Sequence, residues 1–250
     1  MTTRSRETVS REYYDDPGFN YARWWAGRGY EHHAEVMAIR RLLQGRWFAR
    51  AVDVGGGFGR LSTVLAEFAD EVTLTDSSRQ QLEISRRFLA HHPHVTGRQM
   101  AACDLDFPAA SIGLVAMIRV MHHLPDPAAP LAEIARVLKP GGCAIIEVAN
   151  SAHAVNRARY LARGEPIPAA ARDIGSRDGI PYVNHHPDTV ARQFRAAGLQ
   201  VRRKLSVSNF RHPLLKRVVP ARTLLAAERI AQEPLAGACF GPSLMFLLEK

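Results

Sequence analysis

Cysteine is scarce in this 250-residue chain: Cys103, Cys143 and Cys239 stand far apart, with no C-x-x-C pair. That spacing suggests neither a disulfide framework nor a zinc site, and each cysteine reads as a small buried hydrophobe. Long apolar runs are also missing; none approaches the roughly 18 to 20 residues a membrane span needs. The segment Met1 to Asp16 carries Arg4, Arg6, Glu7, Arg11, Glu12 and Asp15 where a signal peptide would have an apolar core. It reads as a polar leader, and a cytoplasmic location is the expectation. Acid is scarce in one half only. Residues 151–250 hold 16 Lys+Arg against 7 Asp+Glu, while residues 1–150 hold 17 of each, so the whole net charge of +9 lies in the last hundred residues. Such a half either meets something anionic (a charged small molecule, a membrane surface, nucleic acid) or is a solvated basic face.

What is present is an ordinary globular composition, 46% hydrophobic and 23% charged, at a length suited to one α/β domain spanning 1–250. The middle of the chain alternates β-rich runs with helical spacing, which predicts a doubly wound, mostly parallel seven-stranded sheet flanked by helices. Strands are expected at 50–54, 71–76, 95–101, 112–118 and 143–148, then at about 199–207 and 239–248. Helices are expected over 58–69, after Ser77 or Ser78, and from Pro127 to Leu138 behind an Asp126 cap. Residues 12–45 read as an N-terminal helical lid, 48–150 as the core, and 151–186 and 212–233 as insertions on the substrate side, after strands five and six.

Between the first strand and its helix stands Asp53-Val54-Gly55-Gly56-Gly57-Phe58-Gly59. Glycines there let the backbone turn sharply and approach a ligand where a Cβ would clash. The dinucleotide fingerprint G-x-G-x-x-G fails from either start, because Arg60 or Ser62 occupies its third glycine. What remains is acid-x-G-x-G-x-G.

This pattern resembles the class I S-adenosylmethionine (SAM) dependent methyltransferases, and within them the type 11, ubiquinone/menaquinone-biosynthesis-like group. The likeness continues in order through Asp76, Cys103-Asp104-Leu105, the run Leu114 to Leu124, and Arg136-Val137-Leu138-Lys139-Pro140-Gly141-Gly142. It implies SAM as cofactor, bound by Asp53, Gly55, Gly56, Gly57, Gly59, Asp76, Ser77, Cys103, Asp104, Leu105 and Arg119. Asp76 matches the acid that accepts from both ribose hydroxyls, and Cys103-Asp104-Leu105 the adenine motif. Ile112-Gly113 departs from the family's Phe-Asp, which puts the support of the loop in question.

Methyl transfer from a sulfonium mainly needs alignment and exclusion of water; a base is needed only when the acceptor must lose a proton. His122 and His123 stand after the fourth strand, where the cleft of such a fold opens, and are the catalytic candidates. The alternative is that they only hydrogen-bond the loop. Asn184-His185-His186-Pro187 is a second histidine cluster, or simply the start of a helix at Asp188. The substrate candidates are Tyr14, Tyr21, Trp24 and Arg28 of the lid, with Tyr182 and His185. Carboxylates for a divalent cation are missing at the fourth strand's end, so no metal is expected. The resemblance implies a small acceptor, aromatic, quinone-like or lipid-derived, methylated on oxygen or carbon. The basic, partly apolar stretch 202–222 could rest on an anionic membrane. A nucleic-acid acceptor is less favoured because the amino-methyltransferase motif Asn/Asp-Pro-Pro-Tyr/Phe is missing, and a non-catalytic SAM-binding protein is a further alternative. A monomer or homodimer is expected.

Overall fold

The structure, a computed structural model, describes residues 13–16, 18–170, 172–177 and 180–250. Most of the polar leader, residues 1–12, lies outside the described residues. Seven strands form one sheet: β1 (Phe48–Val54), β2 (Ala69–Asp76), β3 (Val95–Gln99), β4 (Ile112–Met117), β5 (Leu138–Ala149), β8 (Gln200–Val207) and β9 (Ser243–Glu249). Their order is β3-β2-β1-β4-β5-β9-β8. The first five run parallel, and β9 lies antiparallel between β5 and β8.

Apolar residues fill both faces of the inner strands β4, β5 and β9, as a sheet covered on both sides requires. The period of two sorts them. Leu114 and Ala116 of β4, Cys143 and Ile145 of β5, and Met245 and Leu247 of β9 join one core layer. Val115, Met117, Ala144, Ile146, Leu244 and Phe246 join the other. The first layer packs on α2 (Gly29–Leu43), with α3 (Ser62–Leu65) and α4 (Arg79–Phe88). The second packs on α5 (Ala128–Val137) and α7 (Pro187–Ala196). Ser78 caps α4 by accepting from the Gln81 N–H at 3.1 Å, and Asp126 accepts from the Ala128 N–H at the start of α5. Gly113 makes room for Phe48: a Cβ there would stand 3.1 Å from its ring.

Several expectations need correction. The helix read over 58–69 shortens to α3, because Gly59 adopts φ +91° against Leu89 and keeps the chain in turns until Leu61. The lid region forms α1 (Tyr21–Trp25) and α2, separated at Gly27 and Arg28. The insertion 151–186 contains α6 (Ala154–Arg163) and a hairpin of β6 (Arg172–Arg177) and β7 (Ile180–Asn184). The helix read over 212–233 is two, α8 (Pro213–Val218) and α9 (Ala221–Ala231), since Pro220 cannot continue a helix. A short α10 (Pro234–Gly237) follows. Cys143 and Cys239 are buried as expected, but Cys103 is exposed in the loop beyond the edge strand β3.

Candidate active site

Strand order reverses between β1 and β4, and ligands of open α/β sheets bind beyond the carboxyl ends of the strands at such a point. Here the glycine loop leaves β1 and Arg119 follows β4. Between them opens a cavity of about 680 Å³. Gly55 and Gly57 line it in left-handed conformations, φ +66° and +59°. A Cβ on Gly55 would fall 2.4 Å from Val120 Cγ2, so only glycine fits there.

Asp76 points into this cavity from the end of β2. Its Oδ2 accepts from the Gly57 N–H at 2.9 Å and its Oδ1 from the Ser78 N–H at 2.8 Å, which fixes the carboxylate while leaving lone pairs free. Burial lifts the carboxyl to about 6 against those amides. Asp53 is likewise lifted to about 6 by burial, with Ser62 Oγ–H donating to it at 2.7 Å.

Arg119 is the junction of the site. It is a non-glycine residue at φ +65°, a conformation that costs about 1–3 kcal/mol and persists only when its surroundings enforce it. Two buried carboxylates do so. Its Nε donates to Glu35 at 2.7 Å, and its backbone N–H to Glu147 at 3.2 Å. Glu35, from the middle of α2, is 1% exposed and also accepts from Arg60 at 2.6 Å. Burial alone would raise the Glu35 carboxyl, but Arg119 and Arg60 outweigh it and hold it low. Sequence reading missed this triad; the one local sign was a glutamate on the apolar face of α2.

A second cavity, about 460 Å³, adjoins the first. Arg119 borders both. His123 lines the first cavity and His122 the second, their rings 4.0 Å apart, and Tyr182 stacks on His122 at 5.0 Å. Burial, His123 and Arg119 push His122 well below the ordinary imidazole range, so it is neutral at pH 7. Tyr14 OH lies 3.3 Å from His123 Nε2 across the first cavity. Burial keeps the Tyr14 phenol protonated.

The geometry sorts the other candidates. Tyr14, Tyr21, Ser77 and Arg119 reach the first cavity, and Tyr182 the second. Asp53 and Gly56 lie under the loop, around a smaller space of about 300 Å³. Gly59 packs on Leu89. Cys103, Asp104 and Leu105 line neither large cavity; the turn closed by the Asp104 N–H to Ala101 O presents Met100 and Ala102 instead, and Leu105 is 1% exposed in the core. Trp24 stays outside both, with the Arg28 guanidinium 3.5 Å over its ring. His185 is buried, and its Nε2–H donates to Met121 O at 2.9 Å, pinning the His122–His123 turn. His186 caps α7, with Pro187 in its first turn.

A family model described as a methyltransferase domain matches residues 52–146. The chain is 30% identical over 200 residues to the ubiquinone biosynthesis O-methyltransferase of Xanthomonas euvesicatoria pv. vesicatoria, covering 72% of this chain and 76% of that one. It belongs to the class I SAM-dependent methyltransferases. A relative of the same description from Alkalilimnicola ehrlichii is 30% identical over 165 residues, 60% of this chain and 66% of its own length. A SAM-dependent methyltransferase from Leishmania major shares the fold, with TM-score 0.65, 15% identity, and coverage of 98% and 83%.

SAM is therefore the methyl donor, and the first cavity of this methyltransferase fits it. It combines bare glycine backbone, an oriented carboxylate and an apolar wall of Met100, Ala102, Val120 and Leu124. Gln81 also lines it, and its Oε1 is buried without a partner while its Nε2 donates to Tyr14 O. Acid, apolar wall and amide are the groups a ribosyl-purine and an amino-acid end call for.

Proposed function

We propose that this methyltransferase moves a methyl group from SAM to an oxygen or carbon of a small aromatic or quinone-like acceptor seated in the second cavity. The observation that carries the reading is the meeting of the two cavities at Arg119 and the His122–His123 turn. Bound SAM supplies an activated methyl on a sulfonium. Asp76 would accept from the ribose hydroxyls, and Met100, Ala102 and Leu124 would flank the adenine. Gly55 and Gly57 let the chain pass close to the amino-acid end, with Ser77, Gln81 and Tyr21 completing the enclosure. Tyr14 covers the cavity and, through His123, shields the reaction from water.

For a hydroxyl acceptor, the S–CH3 bond breaks as the O–CH3 bond forms, and the hydroxyl proton passes to a neutral imidazole. His122, uncharged and facing the acceptor cavity, takes that role, while His123 holds the lid through Tyr14. Relatives named as ubiquinone biosynthesis O-methyltransferases support oxygen as the accepting atom. The test is turnover of labelled SAM with catechols and hydroxyquinones: transfer to none of them, with transfer to an amine, would overturn the reading.

The stretch 202–222 does not act as one basic face. Arg202 pairs with Glu249, Arg203 with Glu233 and Lys216 with Glu31. An anionic bilayer contact narrows to α8, where Leu214 and Val218 are exposed beside Arg217. Among the described residues no helix is long and apolar enough to cross a membrane. Loss of binding to anionic liposomes in Leu214→Ser/Val218→Ser is the expected result, and equal binding would remove the contact.

A further inference from the structure

We infer that the acceptor carries a carboxylate, held by Arg211 at the part of the second cavity that does not border the donor. The inference rests on the methyltransferase reading and specifies its substrate class. Arg119 follows β4, Glu147 and Asn150 lie at the end of β5, Ser243 opens β9 and Arg211 follows β8, so the cavity gathers at the carboxyl edge of the sheet. Arg119 borders both cavities, but Arg211 lines only the second of the two. A group bound at Arg211 thus directs the rest of a planar molecule toward Arg119 and the His122 ring.

Two other polar side chains of this cavity, Glu147 and Asn150, are already committed. Glu147 accepts from Ser243 Oγ–H and from the Arg119 N–H. Asn150 donates to Cys239 O and Gly241 O and accepts from the Ala152 N–H. Glu35 is shared by Arg60 and Arg119, and nearby Glu31 is taken by Lys216 at 2.8 Å. Of the arginines and carboxylates that line the second cavity, Arg119 and Arg211 stand against Glu147, leaving one cation in excess. Among the described residues no carboxylate pairs with Arg211. The residue is exposed to solvent. Burial and then Arg119 bring its guanidinium down to about 10. His153, beside it, is brought to about 4 by burial and Arg211, so it adds no charge at pH 7. A guanidinium that no carboxylate among the described residues pairs is stabilised by an incoming carboxylate, which its planar fork matches in two parallel hydrogen bonds.

The experiment is calorimetry on the full chain loaded with S-adenosylhomocysteine, titrated with 3,4-dihydroxybenzoate, 3,4-dihydroxycinnamate and the amide of each. Each acid is expected to bind at least about tenfold more tightly than its amide, the range of one charge-assisted hydrogen bond. Arg211→Gln should reduce that ratio to about one without changing S-adenosylhomocysteine affinity. Arg211→Lys, which keeps the charge but loses the fork, should retain part of it. Equal binding of acid and amide, an unchanged ratio in Arg211→Gln, or no binding of either acid overturns the inference. Heat from S-adenosylhomocysteine in those cases leaves the donor reading standing; no heat from it fails that reading first.

Discussion

Glu35 is where the fold and the site depend on one atom group, which makes Glu35→Gln the most informative substitution. The carboxylate is 1% exposed and joins Arg60 at 2.6 Å and Arg119 at 2.7 Å. Gln keeps the shape but removes the counter-charge shared by two guanidinium groups that are 11% and 17% exposed. Removing one partner of a buried ion pair costs about 3–5 kcal/mol. For a chain of this size that lowers Tm by about 6–20 °C. Thermal unfolding by circular dichroism measures it. The pH dependence supplies a second check. The folded Glu35 carboxyl sits below its ordinary range, so its contribution is present above that range and is lost as pH falls through the folded value. The gap between wild type and Glu35→Gln should therefore be widest near neutral pH and narrow in acid. SAM affinity should fall as well, because Arg119 loses the contact that enforces its left-handed backbone. A variant melting within about 2 °C of wild type at pH 7 would refute this account of Arg119.

Other outcomes follow from the same geometry. Asp76→Asn should weaken SAM by about 10- to 100-fold in calorimetry, the worth of about 1.5–3 kcal/mol in charge-assisted hydrogen bonds. In the wild type, with Asp76 near 6, SAM affinity should drop about tenfold per pH unit below that value; a flat profile from pH 7 to 5 would remove Asp76 from the cofactor. His122→Gln should lower kcat by about 10²- to 10⁴-fold for a hydroxyl acceptor while leaving SAM affinity intact; a small loss in kcat would leave His122 only a structural part. Gly55→Ala, forced to φ +66° and 2.4 Å from Val120 Cγ2, should lose at least about 1–2 kcal/mol in urea unfolding. Restored stability in Gly55→Ala/Val120→Ala would assign the steric share.

How much could be read without coordinates follows the range of each signal. The strands β1, β2, β4 and β5, the glycine loop and Asp76 were legible because periodicity, turn chemistry and the acid two residues before the first glycine are local. The residues expected on the adenine side, 103–105, do not line the first cavity: β3 ends at Gln99, and the turn closed at Ala101–Asp104 puts Met100 and Ala102 on its wall instead. The break at Pro220 was also local, and the continuous reading of 212–233 overlooked it.

The sequence by itself determined the sheet, its two apolar faces and the glycine loop, since each is written in neighbouring residues. Only the tertiary structure decided which charges meet. Glu35 joins Arg60 and Arg119 across 25 and 84 positions, and Lys216 reaches Glu31 across 185. Those pairings remove Arg202, Arg203 and Lys216 from what looked like one basic face and leave Arg211 over the second cavity. The fold also divides two adjacent histidines between two cavities. Charge in a sequence is a sum; burial and distance turn it into partners, and those partners assign the roles.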